Sequence, residues 1–89
     1  MQVDYFKQVN LNIVRDDQKQ EIFVPLNDQR MVLSYEQTDD ILEIKEVQIP
    51  LELRQYNFAT TLLEYVCMVA KRDKLRIRPN CHQALVFLA

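Results

Sequence analysis

The 89 residues of this chain include no glycine. An average domain carries roughly 7%. Glycine enters left-handed backbone without steric cost. Without it, every turn and every close backbone approach falls to Asn, Asp, Pro or residues under strain.

The first half shows where those turns lie. Polar clusters at Arg15-Asp16-Asp17-Gln18, Asn27-Asp28 and Thr38-Asp39-Asp40 separate short apolar runs. The runs at residues 9–14, 21–25 and 31–36 read as strands, with Val9, Leu11 and Ile13 alternating in the first and Met31, Leu33 and Tyr35 in the third. Residues 41–49 form a fourth, longer strand. Period two places Ile41, Glu43, Lys45, Val47 and Ile49 on one face, and Leu42, Ile44, Glu46 and Gln48 on the other. This is the pattern of a central strand buried over part of its length on both faces. Pro50 ends it.

The period then changes. Phe58, Ala59, Leu62, Leu63, Val66, Val69 and Ala70 recur at the three-and-four spacing of an amphipathic helix. Lys71 and Arg72 suit its negative end, and Asp73 closes it. Residues 74–78 read as a strand with Leu75 and Ile77 inward, and residues 81–89 as a short helix or apolar tail. The fold expected is α/β (α+β): an antiparallel meander followed by a strand-helix-strand crossover. The fourth and fifth strands of that mixed sheet run parallel, connected right-handed.

At this length the chain holds one domain, residues 1–89. Hydrophobic residues at 48% and charged residues at 27% belong to ordinary globular proteins. A net charge of -2 gives no general attraction to nucleic acid or to an anionic membrane. The opening residues lack a basic stretch followed by an apolar run, and no segment reads as a bilayer span. Cys67 and Cys81 make neither a disulfide framework nor a metal site. A cytoplasmic location is expected.

The junction at residues 49–59 carries the chemistry. A loop entering a helix exposes free N–H groups beside the positive end of the dipole, a setting that attracts phosphate. No Asp or Glu lies between Arg54 and Leu63, whereas Arg54 adds a cation and Thr60 and Thr61 add hydroxyls. A plain helix start capped by Asn57 accounts for the same residues.

The run resembles the acetyl-CoA loop of GNAT N-acetyltransferases, in which Arg or Gln, two residues, Gly, one residue and then Gly or Ala open a helix. Arg54, Asn57 and Ala59 fall on those positions. It is more similar still to a short GNAT subgroup with Val-Pro, then Leu-Arg-Gly-x-Gly-Ile-Ala, a helix, a strand and Pro-x-Cys. Ile49-Pro50, Leu53-Arg54, Phe58-Ala59, Leu75 to Ile77 and Pro79-Asn80-Cys81 keep that order.

The resemblance implies an acetyl-CoA-binding transferase acting on an amine of a small molecule or protein. Its fourth and fifth strands would splay to admit the pantetheine arm. Backbone groups of Val47 and Ile49 would pair with that arm. Arg54 and the amides of Gln55, Tyr56, Asn57, Phe58, Ala59 and Thr60 would hold the pyrophosphate, and Cys81 would lie near the acyl group as a catalytic candidate. Glu46 is the candidate general base; Cys81 also reads as core and Glu46 as a solvated strand residue. The basic group Lys71, Arg72, Lys74, Arg76 and Arg78 reads as a solvated face or as a hold on the cofactor's 3′-phosphate.

Two departures are clear. Gln55 and Asn57 stand where the subgroup has glycine, and Glu46-Val47 where it has His-Thr. A left-handed Gln costs about 1–2 kcal/mol, a strain expected to weaken cofactor binding. The alternative is a catalytically inactive GNAT-fold module that binds a ligand or a protein.

Overall fold

The computed structural model describes residues 12–89. The expected strand residues Val9 and Leu11, and the aromatic pair Tyr5-Phe6, lie outside the described residues. Five strands form one sheet in sequence order: β1 (Val14–Asp16), β2 (Glu21–Leu26), β3 (Gln29–Thr38), β4 (Ile41–Gln48) and β5 (Arg76–Pro79). The first four pair antiparallel, and β5 joins β4 in parallel through helix α1 (Phe58–Arg72). A two-turn 3₁₀ helix (Leu51–Tyr56) precedes α1, and a short helix α2 (His82–Leu88) follows β5. The protein is thus a mixed α+β sheet-and-helix structure.

The loop expected at residues 51–56 is instead a 3₁₀ helix, the strand expected at residues 74–78 begins at Arg76, and two further expectations change. Arg15 and Asp16, read as turn, extend β1, and the turn follows at residues 17–20. There Asp16 Oδ1 accepts the amides of Gln18 and Lys19, both at 3.1 Å, which is why the bend begins after Asp16.

The second change is in β4. Ser34 stands opposite Glu46, but Tyr35 stands opposite Ile44, so Lys45 is an extra residue with no partner on β3. This bulge shifts the side-chain phase by one. Leu42 and Ile44 before it, and Val47 and Ile49 after it, all point to the same buried face, whereas the strict period assigned them to opposite ones.

That face is the core. Ile22, Val24, Met31, Leu33, Tyr35, Leu42, Ile44 and Val47 pack with Leu62, Leu63 and Val66 of α1 and Ala84 of α2 in one cluster. Arg15 fastens the sheet edge to the far end of α1: its guanidinium lies 2.7 Å from Asp17 and 3.7 Å from Asp73.

The glycine-free turns resolve into four left-handed residues among those described, Gln20, Asp39, Asn57 and Lys74. Asp and Asn tolerate this region through local hydrogen bonding. Gln20 is compensated: its side-chain oxygen accepts the Gln37 amide at 2.6 Å and its carbonyl accepts the Tyr35 amide at 3.0 Å. Lys74 completes the end of α1, with Leu75 N–H on Ala70 at 2.8 Å and Lys74 N–H on Lys71 at 3.3 Å. These are the paired bonds of a Schellman motif, whose left-handed position is usually glycine.

Candidate functional site: a cleft between the β4 edge and the start of α1

The β4–β5 ladder stops at Ile44 opposite Pro79, closed by Asn80 N–H on the Ile44 carbonyl at 2.9 Å. Pro79 marks the end of that pairing, and after Asn80 and Cys81 the chain enters α2. β4 runs on to Gln48 without β5 beside it. The two strands therefore part, and their parting opens one side of β4 from Lys45 onward.

A cleft of about 330 Å³ occupies that opening. Val47 and Ile49 form its β4 side, Arg54 comes from the 3₁₀ helix, Asn57 to Thr60 form the start of α1, and Gln83 comes from α2. The volume lies at the lower end of the range typical of small-molecule sites, about 300–1,000 Å³. Among the described residues Arg54 is the one charged side chain in this lining. Glu52, the nearest acid in sequence, is tied elsewhere: Gln29 Nε2 donates to it at 3.0 Å, and that bond holds its carboxyl below the usual range.

The entry to α1 has a definite cause. Asn57 ends the 3₁₀ helix and precedes α1 in the left-handed conformation, φ 59° and ψ 31°. The expectation that its side chain caps the helix is corrected, for no such bond forms. Ala59 and Thr60, whose first-turn amides have no partner one turn earlier in the helix, line the cleft instead. Gln55 lies inside the 3₁₀ helix and is absent from the left-handed residues, so the strain expected there does not arise.

Both open carbonyls of the β4 side have donors. Gln83 Nε2 donates to Val47 at 3.3 Å, and Arg54 Nε donates to Ile49 at 3.2 Å. Arg54 thus keeps four of its five N–H donors for other partners.

The sequence-derived residues divide clearly. Val47, Ile49, Arg54, Asn57, Phe58, Ala59 and Thr60 come together around this cleft. Gln55 and Tyr56 are neighbours of it, exposed on the 3₁₀ helix, with the Tyr56 ring 5.9 Å from that of Phe58. Glu46 is exposed beside Ser34 on the opposite face of the sheet, accepts Gln48 Nε2 at 3.0 Å, and borders a separate shallow concavity with Lys19, Tyr35 and Lys45. Cys81 is half-buried at the start of α2 and packs against the core cluster; it is not in the cleft lining. Burial, and then the charge of Glu64, push the Cys67 thiol up, away from the reactive thiolate.

The basic group is also apart from the cleft. Lys71 and Arg72 end α1, a helix of 15 residues and so about 22 Å from its start. Arg72 pairs with Asp73 at 3.1 Å and Arg76 with Asp40 at 3.4 Å.

Gln83 is the site residue that the sequence did not disclose. It lies 36 residues from Val47, in a segment legible only as apolar. Among the described residues no group of three His, Cys, Asp or Glu side chains is placed to hold a metal ion, and no helix is long and apolar enough to cross a membrane. No protein-family model matches the chain, and no curated protein or solved structure matches it either.

Proposed function

We propose that this chain is a GNAT-like domain that binds acetyl-CoA in the cleft between β4 and α1, in the cytoplasm. One observation carries the reading: a single cleft gathers the open edge of β4, the Arg54 cation and the start of α1, where Asn57 makes no side-chain cap. The fit to the cofactor is physical. Left-handed Asn57 meets a backbone demand otherwise left to glycine. The amides of Ala59 and Thr60, with the remaining Arg54 donors, suit a pyrophosphate. The Val47 and Ile49 carbonyls suit the amides of a pantetheine arm. Free Cys67 and Cys81 suit a reducing compartment.

As an N-acetyltransferase the protein would receive an amine at the thioester carbonyl: a C–N bond forms, the C–S bond breaks, and the amine proton leaves. Among the described residues the cleft lining holds no carboxylate, imidazole or thiol to take that proton. Glu46 and Cys81, the candidate base and candidate acyl-handling thiol, lie outside it. Their placement favours the second reading, a GNAT-shaped binding module without turnover, over catalysis by those two residues.

The test is a thermal-melt titration with acetyl-CoA, desulfo-CoA and ADP. At about a hundred times its dissociation constant a ligand adds about 2.7 kcal/mol of stability. Saturable shifts with both CoA compounds, and a smaller one with ADP, are expected. No shift with millimolar acetyl-CoA sinks the cofactor reading. Binding without acetylation across a panel of amines selects the module over the enzyme.

A further inference from the structure

We propose that Gln83 is a built-in stand-in for a ligand amide: its carboxamide closes the open edge of β4 in the cleft and leaves when an amide-bearing arm binds. This rests on the cofactor reading for the identity of the ligand, though not for the geometry of the bond.

A carbonyl at a strand edge needs a donor, and the end of the β4–β5 ladder at Ile44 removes the one a neighbouring strand would supply. The bulge at Lys45 puts Val47 in phase with Ile44, so its carbonyl opens on the same side. Gln83 Nε2 takes the place of the missing strand amide. A primary carboxamide is close chemical kin to the secondary amide of an extended arm, and both offer a neutral N–H to the same oxygen.

The bond is also built to be exchanged. At 3.3 Å it is long for an N–H···O bond, whose usual length is near 2.9–3.0 Å. Gln83 is exposed, while its neighbour Ala84 is fully buried and anchors α2. Rotation about side-chain bonds therefore frees the carbonyl with α2 in place. The contrast with Arg54 is instructive: it holds the Ile49 carbonyl from only five residues away and brings charge as well.

Specificity follows. A ligand that displaces Gln83 and offers an N–H restores the Val47 bond, whereas one without it leaves that carbonyl bare. Gln83 thus favours chains carrying amides over alkyl chains of the same length, and it lowers the affinity of all arms that must displace it.

The test measures desulfo-CoA, pantetheine and ADP binding by calorimetry to the wild type, Gln83→Ala and Gln83→Glu, with the Gln83 side-chain amide followed by ¹⁵N NMR. Gln83→Ala is expected to tighten desulfo-CoA roughly fivefold, the value of one ordinary hydrogen bond, and to leave ADP unchanged. Gln83→Glu, which cannot donate when ionised, should likewise tighten pantetheine, whose uncharged arm meets no repulsion from the new carboxylate. In the wild type, desulfo-CoA and pantetheine should shift the Gln83 side-chain resonances, and ADP should not. Unchanged or weaker desulfo-CoA binding in Gln83→Ala overturns the proposal. Failure of the cofactor reading looks different: neither ADP nor desulfo-CoA perturbs the Ala59 and Thr60 amides. In that case pantetheine alone decides, and Gln83 resonances that stay still in its presence reject the stand-in.

Discussion

Arg54 Nε donates to the Ile49 carbonyl across 3.2 Å, so one side chain both closes the β4 edge and supplies the one charge among the described residues of the cleft lining. The bond also fixes where that charge sits. An arginine on an exposed 3₁₀ turn has many rotamers, and tying Nε to the end of β4 removes several of them before a ligand arrives. Arg54→Glu is therefore expected to weaken acetyl-CoA binding by tenfold or more. A hydrogen bond to a charged group contributes about 1.5–3 kcal/mol, and about 1.4 kcal/mol is a factor of ten. Calorimetry reads the loss. Equal affinities for the variant and the wild type would remove Arg54 from the site.

Asn57 joins two helical segments in a single left-handed residue. Asn57→Ala should cost about 1 kcal/mol in denaturant unfolding, because a β-carbon is poorly tolerated there. Asn57→Gly should be close to neutral, relief of strain being offset by a more flexible unfolded chain. An Ala variant as stable as the Gly variant would show that the junction relaxes out of this conformation.

Lys74 presents the opposite opportunity. Its φ of 59° at the end of α1 lacks the local side-chain compensation seen at Gln20. Lys74→Gly should stabilise the protein by about 1 kcal/mol. For a chain of this size that raises the melting temperature by about 4–8 °C. A lower melting temperature contradicts the assignment of strain to this residue.

Asp73 links pH to stability. The hydrogen bond from Arg72, with the charges of Arg72 and Arg15, holds its carboxyl below the ordinary aspartate range. A depressed folded pKa stabilises above the unfolded value, about 3.9, and that contribution is lost as the pH falls through the folded value. Asp73→Asn should therefore be less stable than the wild type at neutral pH, with the gap closing in acid. Glu52, lowered by its Gln29 bond, adds to the same acid limb, so Glu52→Gln serves as a second probe. Melting curves from pH 7 to pH 2 read the effect. A constant gap across that range removes the ion pairs as its cause.

The architecture was readable because periodicity is a local property. The alternation of Met31, Leu33 and Tyr35 in β3, and the three-and-four spacing of Leu62, Leu63, Val66, Val69 and Ala70, pick out side chains that are buried. The run from Arg54 to Thr60 was equally readable, since a helix start with no nearby acid is a feature of adjacent residues. β4 was misread for a related reason. A period-two reading carries its phase through every residue, and nothing in Ile44-Lys45-Glu46 announces the extra one. The insertion is visible only against β3, where Ser34 and Tyr35 fall opposite Glu46 and Ile44.

By itself, then, the sequence determined strands β2 to β5, helix α1, their order and the cationic, acid-free entry into α1, all of which follow from side chains a few residues apart. Tertiary structure alone decided the rest. Pairing with β3 set the phase of β4 at Lys45 and so brought Val47 and Ile49 to the buried face. The end of the β5 ladder at Pro79 opened the cleft and brought Gln83 to the Val47 carbonyl, while Glu46 and Cys81 were left outside it. The physical reason is the same each time: these contacts join residues far apart in the chain, and strand pairing and core packing choose them only once the sheet has formed.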